Sequence, residues 1–208
     1  MLTQLFSRFR DKIGFAPRPE LNSKNALLSF AERQSAYVSQ VTLYGYVKTR
    51  AGTSWPKLFE NETYLISLKT ARWHIYAACV ADISQFLAAR LFTHGGLKEA
   101  QAAAFANEMT AHILKNTIQE DVPQSAFDDV ILSSSIAAEK QDWHEAATTA
   151  STFQSSADAF MRWAPTADEF KVLDEEIMRN SIHMRWIGIR RDVKETLNAA
   201  PIIAELTQ

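Results

Sequence analysis

The chain has 208 residues, 47% of them hydrophobic and 22% charged, and a formal net charge of −2, which places it in the globular range and far from the signature of disorder. Six glycines and six prolines cannot supply the turns of a sandwich or barrel, so an all-β fold is excluded. One cysteine, Cys79, excludes an intrachain disulfide or a cysteine-built metal cluster, and 22 basic against 24 acidic residues leave no basic excess for nucleic acid.

Residues 1 to 13 place Leu2, Leu5, Phe6, Phe9 and Ile13 at helical spacing, with Arg8, Arg10 and Lys12 between or opposite them. This pattern predicts a short basic amphipathic helix, stopped at Gly14 and set apart by Pro17 and Pro19. Residues 1 to 19 are thus an arm with a proline linker, and residues 20 to 208 a single helical-bundle domain. The arm can serve as a membrane-surface anchor, a mitochondrial-type targeting peptide or a segment docked on the body or a partner. Leu5, Phe6, Arg8, Phe9 and Arg10 are its contact residues in either docking role. No continuous apolar core with a small-residue cleavage site follows the N-terminus, so a secretory signal is not expected.

An apolar stripe through Ala26, Leu27, Phe30, Tyr37, Val41, Tyr44 and Val47 predicts a first long helix from about Ser23 to Arg50, stopped at Gly52. Within it, Leu28 to Arg33 and Thr42 to Tyr46 resemble the two strings that bracket the DNA-binding helices of TetR-type repressors. Only Gln34 to Val41 separate them here, too few residues for the recognition helix that family needs, and the unbroken stripe reads as one helix. Ala51 to Glu60, with Gly52 and Pro56, reads as an irregular connection that exposes Trp55 and Phe59 for a partner.

A second helix is capped near Asn61 and closed by His94, Gly95 and Gly96. It is apolar on nearly every side, and its stretch Trp73 to Leu91, interrupted by His74, Asp82, Gln85 and Arg90, reads as a buried helix and not a membrane span. An alanine-rich third helix is expected over about Leu97 to Gln119. Asp121 with Gln124, Asp142 with Glu145 and Thr166 with Glu169 have capping-box form and predict helices over about 122 to 139, 143 to 163 and onward from Pro165. The last has no breaker before Pro201, and at 1.5 Å per residue it spans roughly 45 Å. Its stripe begins as Phe170, Leu173, Ile177 and Met184 and shifts to Ile182, Trp186, Ile189, Val193 and Leu197, which suggests one internal contact and one with another subunit. The fold expected is an all-α bundle of five to six long helices.

Three chemistries are open. Trp186, Arg190 and Arg191 crowd the basic end of the last helix and, with the arm, Trp55 and Phe59, fit a partner protein, a larger complex or an anionic surface. Alanines on the second helix, with Trp73, His74, Tyr76, Ala81 and Gln85, could line a cavity for a small molecule or lipid. Glu108 and His112, four apart, could join His74 in a metal site. A di-iron bundle would instead need a repeated Glu-x-x-His, which is absent. Neither a Gly-x-Ser-x-Gly elbow nor a phosphate-binding loop is present, so no cofactor is expected. The leading reading is a non-catalytic accessory or assembly protein, with self-association open. It is expected in a reducing intracellular compartment, cytoplasmic, membrane-peripheral or mitochondrial.

Overall fold

The computed structural model describes residues 18–117 and 124–207. The arm residues Leu5, Phe6, Arg8, Phe9 and Arg10, and the capping residue Asp121, lie outside them. Among the described residues the regular elements are helical, apart from one isolated parallel bridge between Leu21 and Leu197. In chain order they are α1 (Lys24–Ala51), α2 (Trp55–Leu58), α3 (Glu62–Gly95), α4 (Glu99–Asn116), α5 (Gln124–Ala138), α6 (Trp143–Thr148), α7 (Gln154–Trp163), α8 (Asp168–Thr196) and α9 (Ala199–Leu206), with 3-10 turns at Gly52–Ser54 and Ser151–Phe153. The short α2, α6 and α9 take the architecture beyond the five to six long helices expected.

Helix starts follow local chemistry. Ser23 Oγ accepts the Ala26 N–H at 3.2 Å, Asn61 Oδ1 the Tyr64 N–H at 3.0 Å and Asp142 Oδ1 the Glu145 N–H at 2.9 Å, each satisfying one orphan donor of the first turn. Gly52 and Gly96 follow α1 and α3 at φ of 53° and 78°, a region where a β-carbon is strained. α1 is unbroken from Lys24 to Ala51, so the two repressor-like strings lie on one continuous helix.

α3 is the axis of the bundle. Every residue from Ile75 to Ala89 is buried, because α1, α4, α5, α6, α7 and α9 all pack around it. By length and composition α3 could cross a membrane, yet its most apolar window is 89% buried inside the bundle, where helices replace lipid as its apolar surroundings. One cluster of buried side chains runs from Leu21 to Ile202.

The two ends of the described chain are clasped together. Leu21 N–H donates to Thr196 O at 2.9 Å and Asn198 N–H to Leu21 O at 3.0 Å, while Arg18 meets Asp192 at 2.8 Å and Glu195 at 2.6 Å. Glu205 of α9 accepts the Lys24 N–H at 3.0 Å, placing a carboxylate at the positive end of α1.

Three expectations are corrected. The segment 51–60 is not irregular: Pro56 sits in the first turn of α2, where its missing N–H costs nothing, and Trp55 meets Phe59 edge to face at 4.6 Å. The helix expected over 143–163 is split between α6 and α7. Around the break Thr148 Oγ1 donates to His144 O, Thr152 Oγ1 donates to Ala146 O, and Thr149 Oγ1 accepts the Ser151 N–H, so hydroxyls there compete with helical hydrogen bonds. α8 begins after Ala167 without a side-chain cap and ends at Thr196, where Leu197 turns extended to pair with Leu21. Pro201 lies in the first turn of α9 and stops nothing.

Candidate functional site

The proposed metal ligands do not converge. The His74 ring lies flat on Trp163 at 3.5 Å and 6°, and burial, helped by the Arg162 charge, pulls its pKa below the ordinary value. Glu108 is exposed and ion-paired with Lys24 at 2.5 Å, and His112 faces solvent. Among the described residues no three His, Cys, Asp or Glu side chains form a group able to hold a metal ion.

The expected cavity is displaced and small. A space of about 140 Å³ lies between α1 and α3, lined by Glu32, Ala36, Gln40, Arg72, Trp73 and Tyr76 among others. Trp73 and Tyr76 are where the sequence put them, but His74, Ala81 and Gln85 do not line it; Ala81 and Gln85 are buried in helix contacts. Burial pushes the Tyr76 hydroxyl up to about 12, and it lies 3.4 Å from the Thr117 hydroxyl. A ligand pocket for a drug-sized molecule runs to roughly 300–1,000 Å³, so this space is smaller than that and holds a few waters or at most a single small ring.

Trp186 is not a surface residue. It is 1% exposed, stacked on Phe153 at 4.6 Å, and its Nε1–H donates to Ser156 Oγ at 3.1 Å. Arg190 donates from Nη2 to Thr148 O, tying α8 to the carboxyl end of α6, where a cation complements the helix dipole. Of the predicted cluster only Arg191 stands exposed, its Nε 4.0 Å from Asp192 Oδ1. Trp55 is half-buried against the core and Phe59 is exposed.

Asp82 was missed as a structural group. It is buried in α3, and its Oδ2 accepts the Ser156 N–H at 2.8 Å. Burial raises its pKa to about 7, against hydrogen bonds from Ser156 and Ser155 that lower it. A lone carboxylate inside the apolar run from Ile75 to Ala89 was the available signal.

The largest departure from a closed globule is apolar surface. On α8, Leu173, Ile177, Met184 and Ile187 are 78%, 66%, 68% and 59% exposed. On α5, Leu132 and Ile136, one turn apart, are exposed, as is Ile66 near the start of α3. α5 packs against α4 and α3, whereas α8 packs against α7 and α1, so these side chains sit on different flanks of the bundle. No protein-family model, curated protein or solved structure matches this chain.

Proposed function

We propose that this protein is a non-catalytic helical assembly protein that binds a larger protein complex through apolar surface on its bundle. The observation that carries this reading is the exposed Leu132 and Ile136 pair on α5 together with Ile66 and Phe59. Exposed large apolar side chains cost free energy in water, on the order of 25 cal/mol per Å² left uncovered, and a partner surface removes that cost. The sequence of residues 1 to 13, which sets Leu5, Phe6 and Phe9 at helical spacing among Arg8, Arg10 and Lys12, extends the reading to association at a membrane surface.

Native mass spectrometry of the full chain isolated gently from its source tests the assembly role. A stoichiometric protein partner is expected, lost in a Leu132→Ser, Ile136→Ser variant that keeps the wild-type melting temperature. A chain that emerges with a bound small molecule and no protein, or a variant that retains the partner, overturns it. Deleting residues 1 to 16 tests the membrane part: membrane association should fall, and unchanged association removes the arm from the account.

A further inference from the structure

Two apolar rows run along opposite sides of α8, as the 3.6-residue turn requires of their spacing. Met178, Ile182, Trp186, Ile189 and Val193 face inward and are buried. Phe170, Leu173, Ile177, Met184 and Ile187 form the outer row, all exposed. With Asn180 included, successive members of the outer row are three and four residues apart in strict alternation from Phe170 to Ile187. That is the spacing of a coiled-coil seam, whose 3.5-residue average keeps one stripe facing a second helix. A polar residue such as Asn180 at one seam position sets register in such pairs.

We propose that the outer row is an interface between two copies of this chain, paired through α8 in antiparallel orientation. The charges select both the occupant and its direction. One flank of the seam repeats every seven residues as Glu169, Glu176, His183 and Arg190, with two carboxylates in its first half and a guanidinium at its far end, while burial and the Arg179 charge pull the His183 pKa down. In an antiparallel pair this flank lies beside its own reverse, so Glu169 of one copy faces Arg190 of the other. A parallel pair would bring Glu169 toward Asp174 of the second copy, whose carboxylate is already held by Arg50 at 3.1 Å and the Tyr46 hydroxyl at 3.0 Å and offers Glu169 no cation. Neither Glu169 nor Glu176 has an ion-pair partner among the described residues, and Arg190 keeps N–H groups beyond the one given to Thr148. The arrangement is two-fold and closes on itself, with the same patch used by both copies. α8 is already ordered by its inner face, so pairing carries no helix-nucleation cost, which a seam under three heptads long could not offset alone. The pairing goes beyond the assembly role and holds whether or not another protein docks on α5.

Light scattering on the full chain, coupled to size exclusion at several concentrations, tests the pairing. Twice the chain mass is expected for the wild type. Ile177→Glu and Met184→Glu should raise the dimer dissociation constant about tenfold or more while helix content stays that of wild type. Orientation is read from cysteine variants under mild oxidation: Phe170→Cys mixed with Ile187→Cys should cross-link, and neither should cross-link to itself. The cross-linking introduces no charge and so reads the interface independently of the glutamate variants. A chain of monomer mass at every concentration overturns the pairing, and self-linking by both cysteine variants overturns the antiparallel direction.

Discussion

Asp82 on α3 caps a helix distant in sequence: its Oδ2 accepts the N–H of Ser156, 74 residues on, in the first turn of α7 at 2.8 Å. The orphan donors of a helix start are usually satisfied by a neighbour in sequence, but Phe153 precedes α7 and has no side-chain acceptor. The cap is therefore borrowed from the core, and burial raises the Asp82 pKa to about 7. An acid whose folded pKa lies above its unfolded value binds more protons when folded between about pH 4 and 7, so stability falls as pH rises through that window. Asp82→Asn keeps an acceptor oxygen without the charge. Denaturant titrations at pH 5 and pH 8 should show wild type losing on the order of 2–4 kcal/mol relative to Asp82→Asn. Equal pH dependence in the two proteins would refute the buried cap.

Ser156 joins the same node from its other side, because its hydroxyl accepts Trp186 Nε1–H at 3.1 Å. Ser156→Ala leaves the indole N–H buried without a partner and should cost about 1–3 kcal/mol. In a Trp186→Phe background, where no N–H remains, the same substitution should cost less than half as much. A double-mutant cycle measures the difference; additive costs would mean that the hydrogen bond contributes nothing.

Residues that act on near neighbours were legible in the sequence, and those that act across the fold were not. Ser23, Asn61 and Asp142 bond their own helices three residues on, so each start could be read locally, and Gly96 marked the end of α3 for the same reason. Asp82 could be seen only as a carboxylate out of place, since its partner Ser156 is distant in the chain. Trp186 looked like an exposed anchor because the arginines around it are polar, yet its own register places it on the inner row of α8. The split between α6 and α7 was hidden by threonines and serines, whose side chains either continue a helix or break it according to where their hydroxyls bond. The metal reading joined residues whose helical spacing was known but whose helix faces were not.

Gly95 is held as glycine by close approach. A β-carbon there would lie 1.6 Å from Ile203 Cδ1 and 2.9 Å from Ile203 Cγ1, so α9 sits directly against the end of α3. Gly95→Ala should destabilise by about 1–3 kcal/mol through overpacking. Ile203→Val deletes the nearest clashing atom, and the alanine should then cost measurably less in thermal unfolding. A Gly95→Ala protein as stable as wild type would show that the Ile203 side chain turns aside without cost.

Gly45 makes the opposite case with the same residue type. It lies inside α1, exposed to solvent, and a β-carbon built there meets nothing within 4 Å. Glycine in a helix interior carries an entropic penalty of about 0.5–1 kcal/mol relative to alanine, and nothing around Gly45 offsets it. Gly45→Ala should therefore stabilise the fold by about that amount, raising the denaturation midpoint without changing the slope. The sign is the test: a loss of stability would mean that a neighbour occupies the space over Gly45 in solution, and a gain alongside a loss at Gly95 would separate glycine used for contact from glycine that α1 merely tolerates.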